Sequence, residues 1–276
     1  KVKLTHALQE VEDMLLKKDV AVLAVLTSLA LTSCGNNLTD LDYILDKDEF
    51  ILGFTDFPPM GFTDRGVDTG FDIELAEAVT EEMGVSLKTR YIDWDAKVLE
   101  LNSKRIDAVW NGFTITEERR EQVTFSDPYF ENNLIILSKV DSGIVTRADL
   151  SDKNVGVELS SSADIALEKE TTLVETLKEV KKYNNSSDAF LALSAGQIDA
   201  MIVDEIYARY VVLQENEGLY QVSDDVIGGE FYGIGFRLGD VKLAARVDEI
   251  INELVASGFV GDLSNKYFGE DLFYRP

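Results

Sequence analysis

The sequence predicts an α/β fold with mainly parallel sheets, on two observations. Apolar runs of strand length alternate with helical repeats, and one such helix–strand unit occurs twice. Phe50-Ile51-Leu52-Gly53-Phe54 is the first strand-length run. Phe71 to Met83 follows with helical spacing at Ile73, Leu75, Ala76, Val79 and Met83, and Gly84 supplies a C-terminal stop signal. Val85 to Ile92 alternates like a strand, Ala96 to Ser103 is helical again, and Ile106 to Trp110 reads as a short buried strand. At an offset of 92, Leu99, Leu101, Ile106, Asp107 and Ala108 recur as Leu191, Leu193, Ile198, Asp199 and Ala200. Either a helix–strand unit converged twice on one pattern, or two lobes are built alike, each helix packing its leucines. Ligands of open α/β sheets bind beyond the carboxyl ends of the strands. That directs attention to Asn111 through Thr116 in one half and to Asp204 in the other.

Between the two copies, Glu131 to Lys139 is apolar and extended, and Gly228 to Arg237 is a second extended run, rich in glycine. Both suit strands that cross between lobes. Gly233-Ile234-Gly235 lacks the third glycine and the lysine of a phosphate loop and reads as structural.

The net charge of −25 over 276 residues, with a pI near 4.3, excludes a nucleic-acid partner, because a phosphate backbone needs a basic footprint. An acidic surface is also repelled by anionic head groups, so membrane association requires a dedicated anchor. The acidity serves solubility or, more specifically, steering of cationic substrates. One cysteine, Cys34, and one histidine, His6, occur in the chain.

From Met14, the basic pair Lys17-Lys18 precedes an apolar stretch of 12 residues, Val20 to Leu31, and then Leu31-Thr32-Ser33-Cys34-Gly35. As a helix that stretch reaches ~18 Å, short of a ~30 Å hydrocarbon core, which marks a signal peptide rather than a span. Its ending resembles the lipobox of bacterial lipoproteins, which implies cleavage before Cys34 and a lipid, palmitate included, on that residue. An ordinary signal peptide and a buried helix with an inert thiol are the alternatives. Residues 1–13 fit no part of this scheme and are expected to be translated leader. Cleavage removes Lys1, Lys3, Lys17 and Lys18 with Glu10, Glu12, Asp13 and Asp19, so the mature charge stays at −25. It also removes the histidine and leaves no free thiol. A Ser-His-Asp triad, a Cys-His pair and a His/Cys zinc site are then impossible, and no metal or cofactor is expected.

Four segments in order carry a more specific likeness: Gly70-Phe71-Asp72-Ile73-Glu74-Leu75-Ala76, Thr114-Ile115-Thr116-Glu117-Glu118-Arg119, Val123-Thr124-Phe125-Ser126-Asp127-Pro128-Tyr129, and Tyr232-Gly233-Ile234-Gly235-Phe236. Together they resemble the polar amino-acid binding proteins of ABC importers, the family-3 periplasmic solute-binding proteins. The resemblance implies a type II periplasmic-binding-protein fold, two α/β lobes joined by two crossing hinge strands. Residues 1–33 are then leader and signal peptide, 34–48 a tether, 49–133 plus 231–276 lobe one, and 134–230 lobe two.

The resemblance also implies the site. Arg119 is expected to clamp a ligand α-carboxylate, for which a guanidinium fork is well matched; without the motif it reads as a surface arginine beside Arg120. Thr114 or Thr116 is expected to cap the following helix, Thr114 with Glu117 having capping-box spacing. Asp204 is expected to hold the α-ammonium, the alternative being a plain helix cap. Ser161 and Ser162, after Val155-Gly156-Val157, offer hydroxyls and N–H groups; relatives often carry glycine where Ser160 stands. Asn111 and Gly112 match the ligand-facing stretch of lobe one, with Gly112 contributing backbone. Phe57 and Trp94 match aromatic positions beside the ligand side chain, or are ordinary core aromatics. Asp56 and Glu158 sit where relatives approach the distal group, suiting a cationic or amide side chain.

The implied function is that of an extracytoplasmic subunit, lipid-anchored to the membrane through Cys34, that binds a free amino acid and delivers it to a permease with its ATPases. It is expected to be monomeric and to catalyse nothing. The alternative is a dehydratase-type enzyme acting on a cyclic carboxylic acid, with Glu158 as the acid–base candidate. The end of the sequence at Pro276 disfavours a sensor kinase.

Overall fold

The computed structural model describes residues 38–214 and 218–275; Cys34, the apolar stretch 20–31 and the expected leader lie outside the described residues. Helix α1 (Asp40–Lys47) leads into strand β1 (Glu49–Phe54). A hairpin of β2 (Phe62–Asp64) and β3 (Val67–Thr69) precedes α2 (Phe71–Met83) and β4 (Ser86–Tyr91). A 3-10 turn at Trp94–Ala96 then runs into α3 (Lys97–Asn102), β5 (Ala108–Val109), α4 (Glu117–Arg120) and β6 (Val123–Phe125). The long strand β7 (Phe130–Lys139) opens a second sheet. After it come β8 (Asn154–Glu158), α5 (Ser162–Lys169), α6 (Thr171–Val174), β9 (Glu179–Tyr183), α7 (Ser186–Ser194), β10 (Ala200–Asp204), α8 (Glu205–Gln214), β11 (Tyr220–Val222) and β12 (Gly228–Tyr232). The chain returns through β13 (Gly235–Arg237) to α9 (Val241–Ser257) and α10 (Phe259–Phe268).

The first sheet has the order β4-β1-β5-β13-β6 and the second β11-β7-β10-β8-β9, with β12 also on β7. In each, three strands are parallel: β4, β1 and β5 in the first, β10, β8 and β9 in the second. The rest pair antiparallel, so the expected mainly parallel sheets are mixed. The departure has a topological cause. A chain that leaves one sheet for the other and comes back runs in opposite directions on its two passes. The passes fall at 126–129, between β6 and β7, and at 233–234, between β12 and β13. The run from Gly228 to Arg237 therefore divides into two strands in different sheets. Gly233 stands at the division, where a Cβ would lie 2.8 Å from the Ile115 side chain.

Several elements follow directly from apolar spacing. In α2, Phe71, Ile73, Leu75, Ala76 and Val79 are buried, and Gly84 closes the helix with φ at 72°. Leu101 and Ile106 are fully buried, as are Leu193 and Ile198, but Leu99 and Leu191 stand in solvent. Residues two apart on a helix lie on nearly opposite faces, so only one leucine of each pair reaches the core. The expected tether also needs correction, because Asp40–Lys47 is a helix with Ile44 fully buried. Its Asp40 carboxylate accepts the Lys242 and Leu243 N–H groups at the start of α9. Leu41 and Ile44, three apart, supply the apolar face that a flexible tether lacks.

Candidate functional site

The lobe-one wall of the cleft begins where β5 ends. The Asn111 side chain accepts the Thr55 N–H at 3.0 Å and donates to the Gly61 carbonyl at 3.2 Å. Gly112 adopts φ of 59°, in the region that favours glycine, and a Cβ there would lie 2.8 Å from the Phe57 ring. Its N–H donates to Asp72 at 2.8 Å, and the Tyr129 hydroxyl donates to both oxygens of the same carboxylate at 2.8 and 2.9 Å. Burial raises the Asp72 pKa to about 7 against the pull of these hydrogen bonds. The Gly-Phe-Asp motif thus serves to hold the Asn111–Thr114 loop in place.

Thr116, not Thr114, caps α4, its hydroxyl accepting the Arg119 N–H at 3.1 Å. The expected Thr114–Glu117 box does not form, because the helix starts at Glu117 and so puts Thr116 at its N-cap, while the Thr114 backbone bridges to Tyr232. Arg119 is buried, with its guanidinium 4.7 Å from the Phe113 ring. It donates to the Thr114 carbonyl at 2.8 Å and, across the cleft, to the Ser160 carbonyl at 3.3 Å. Burial lowers its pKa, but a guanidinium remains charged. Lys97 reaches the same Ser160 carbonyl at 3.3 Å and the Trp94 carbonyl at 2.8 Å; burial, then Arg119, lowers it to about 7.

The lobe-two wall is built from the carboxyl ends of β8 and β10. Ser161 caps α5 by accepting the Asp164 N–H at 3.1 Å, so Ser162 opens that helix. The first N–H groups of a helix have no partner within it and suit an anion. Ser160, at the position where relatives often carry glycine, has φ of 59°. One oxygen of Glu158 accepts the Ser186 hydroxyl at 2.7 Å, while Oε1 is buried without a partner. Burial raises Glu158 to about 7, opposed by Ser186 and Lys97. Asp204 accepts from Asn132 Nδ2 at 2.9 Å and from the Tyr232 hydroxyl. Burial and then Glu230 push it well above the usual carboxylate range.

These walls line one narrow cavity. Arg119, Asp204, Thr114, Ser161, Ser162, Gly112, Asn111, Phe57, Trp94 and Glu158 all line it. Phe57 also stacks on Tyr207 of the other lobe, with ring centroids 5.6 Å apart. Asp56 does not line it. Thr55 and Phe57 alternate into the cavity, and the residue between them is left outside; its carbonyl accepts the Ser187 hydroxyl at 3.4 Å. Thr55, Lys97, Asn132 and Glu230 were not anticipated. A usable signal existed for three of them. Lys97 lies four residues before the buried Leu101 on one helix face, and Asn132 and Glu230 occupy inward positions of β7 and β12. Among the described residues no cluster of His, Cys, Asp or Glu could hold a metal ion, and no helix is long and apolar enough to cross a membrane.

Comparison with known proteins agrees with this architecture. Residues 51–270 match the family described as bacterial extracellular solute-binding proteins, family 3. The chain is 31% identical to the L-cystine-binding protein TcyJ of Escherichia coli over 84% of this chain and 87% of that protein. It is 32% identical to the arginine-binding extracellular protein ArtP of Bacillus subtilis over 90% of this chain and 96% of that one. Among solved structures, a histidine-bound substrate-binding protein of an ABC uptake transporter from Streptococcus pneumoniae superposes with a TM-score of 0.82. It is 33% identical, over 84% of this chain and 97% of that one.

Proposed function

The chain belongs to the bacterial extracellular solute-binding proteins of family 3, and from that premise we propose that it binds a free polar amino acid between its lobes for an ABC permease. The observation that carries this reading is the shared cavity of Arg119 and Asp204, one cation and one carboxylate on opposing walls. An amino acid presents the complementary pair, a carboxylate for the guanidinium fork and an ammonium for Asp204. The protein is a binding protein, not an enzyme, in keeping with the relatives that bind cystine and arginine. That sets aside the dehydratase alternative.

Specificity rests on Glu158. Its unpartnered buried oxygen favours a ligand whose side chain brings a donor, and a cationic side chain satisfies it best. Cys34 carries the lipid that anchors the protein, as a monomer, to the extracytoplasmic face of the membrane, and the permease with its ATPases receives the loaded form. Thermal unfolding with L-arginine, L-glutamine, L-cystine and L-glutamate tests the ligand assignment. Ligand at 100-fold its Kd stabilises the native state by ~2.7 kcal/mol. L-arginine is expected to raise the midpoint most, and a larger rise with L-glutamate would overturn the role given to Glu158. Mass spectrometry of the N-terminal peptide from membranes should find an acylated Cys34; an unmodified thiol there removes the anchor.

A further inference from the structure

Behind Asp204 stands a second buried carboxylate, Glu230. Both accept hydrogen bonds from the same nitrogen, Asn132 Nδ2, at 2.9 Å for Asp204 and 2.7 Å for Glu230. The geometry is set by the sheet: Asn132 and Glu230 are direct cross-strand partners on β7 and β12, and Asp204 ends the neighbouring β10. Asn132 has no further proton to donate, and its oxygen accepts the Ile206 N–H at 3.3 Å. Tyr232 on β12 donates to Asp204 as well.

The remaining charged groups around the pair are Arg119 of α4 and Glu158 of β8, with Lys97 of α3 beyond them. Arg119 directs two of its five donors to the Thr114 and Ser160 carbonyls and none to the pair, and among the described residues neither carboxylate forms a salt bridge. Two adjacent buried carboxylates with no cation in contact cannot both ionise at low cost. Burial and the nearness of Glu230 raise Asp204 accordingly.

We propose that Asp204, crowded by Glu230 across the Asn132 amide, holds a proton until a ligand ammonium docks on it and expels that proton to solvent. Glu230 is therefore a positioning residue that acts through Asp204; it does not line the cavity itself. The inference rests on the amino-acid-binding reading above. The exchange balances: the ligand keeps its three ammonium protons, Asp204 loses one, and the site's net charge is unchanged. The sign of the pH effect follows. Proton and ammonium compete for one carboxylate, so affinity rises with pH while Asp204 is still protonated and levels off once it is not.

Calorimetry with L-arginine and L-glutamine from about pH 5 to about pH 7.5 tests this, since neither ligand titrates in that window. Runs in buffers of different ionisation enthalpy count the protons released. With L-glutamine, whose side chain brings no charge to Glu158, the intact protein should release close to one proton, with affinity rising up to about ten-fold per pH unit. In Glu230→Gln the neighbouring charge is gone, so binding should persist with a smaller pH slope. Glu158, raised by burial to about 7, adds its own proton release when the arginine side chain docks, so Glu158→Gln should weaken arginine and lower its slope to that of glutamine, which separates the two acids. A flat profile in the intact protein overturns the proposal, as does an unchanged slope in Glu230→Gln. Carboxyl 13C titration of the ligand-free protein supplies a readout independent of binding. A proton that persists on Asp204 well above the ordinary carboxylate range supports the proposal, and an ordinary carboxylate titration there overturns it. Failure of every amino acid to bind, with that proton present, instead overturns the reading of the site's ligand.

Discussion

The repeated units, 99–108 in the first lobe and 191–200 in the second, perform the same structural task in detail. Asp107 pairs with β1 through its backbone, donating to Ile51 at 2.7 Å, and its side chain accepts the Ile51 N–H at 2.8 Å. Asp199 does the same to β8, donating to Asn154 and accepting from it, both at 2.8 Å. Ile106 lies against Gly53 and Ile198 against Gly156; a Cβ on either glycine would fall 2.5 or 2.4 Å from the isoleucine δ-methyl. Beyond the alanine the two units part. The β5 strand stops after Val109, and the chain turns through Asn111 and Gly112 toward Arg119. The β10 strand runs on for 5 residues and ends in Asp204. One scaffold, used twice, delivers a cation to one wall and a carboxylate to the other. The difference lies in where the strand stops.

The sharpest way to break this comparison is to remove what each lobe delivers. Arg119→Ala and Asp204→Ala should each weaken amino-acid binding by ~2–5 kcal/mol while the fold persists. Calorimetry alongside circular dichroism checks it, and unchanged affinity in either variant would dissolve the assignment of opposite charges to the two walls.

The shared aspartate comes next. Asp107 is fully buried and also bonds Arg237 at 3.2 Å and Lys47. Asp199 is half-buried, with Asn154 as its partner. Asp107→Ala should therefore cost ~1.5–3 kcal/mol by removing a buried carboxylate from the half-buried Lys47 and from Arg237, which keeps Asp240 at 2.9 Å, and Asp199→Ala only ~0.5–1.5 kcal/mol. Equal losses in urea unfolding would mean that the added ion pairs of lobe one contribute nothing.

The glycines test the smallest term. Gly53→Ala presses on Ile106 and on Ile92, both buried, and should cost ~1–3 kcal/mol. Gly156→Ala meets one mobile δ-methyl and the half-buried Tyr183, so its cost should fall toward the lower end of that ~1–3 kcal/mol range. A larger penalty at Gly156 would reverse the order and place the tighter packing in lobe two.

Legibility followed the range of the interaction. Helix α2 and its Gly84 stop were readable because apolar spacing and a left-handed cap are properties of consecutive residues. The Ile106 to Trp110 run shrank to a strand of two residues because its partners, Gly53 and Gly235, are supplied by distant segments. The capping hydroxyl of α4 is ambiguous between two threonines in the sequence, and only the start of the helix at Glu117 assigns it to Thr116. Asp56 and Thr55 are neighbours of similar promise in the sequence, and only the direction of the chain past β1 decided which one entered the cleft.

What the residues by themselves determined was the helix–strand alternation, the twofold unit and the acidic balance. Each is carried by composition or by spacing within some ten residues. What the tertiary structure alone decided was which groups share space. Glu230 and Asp204 lie on strands far apart in the chain, and β7 between them brings both to one amide of Asn132. Pairing across a sheet has no counterpart in sequence distance, so the nearness of the two carboxylates is decided only once the strands are in register.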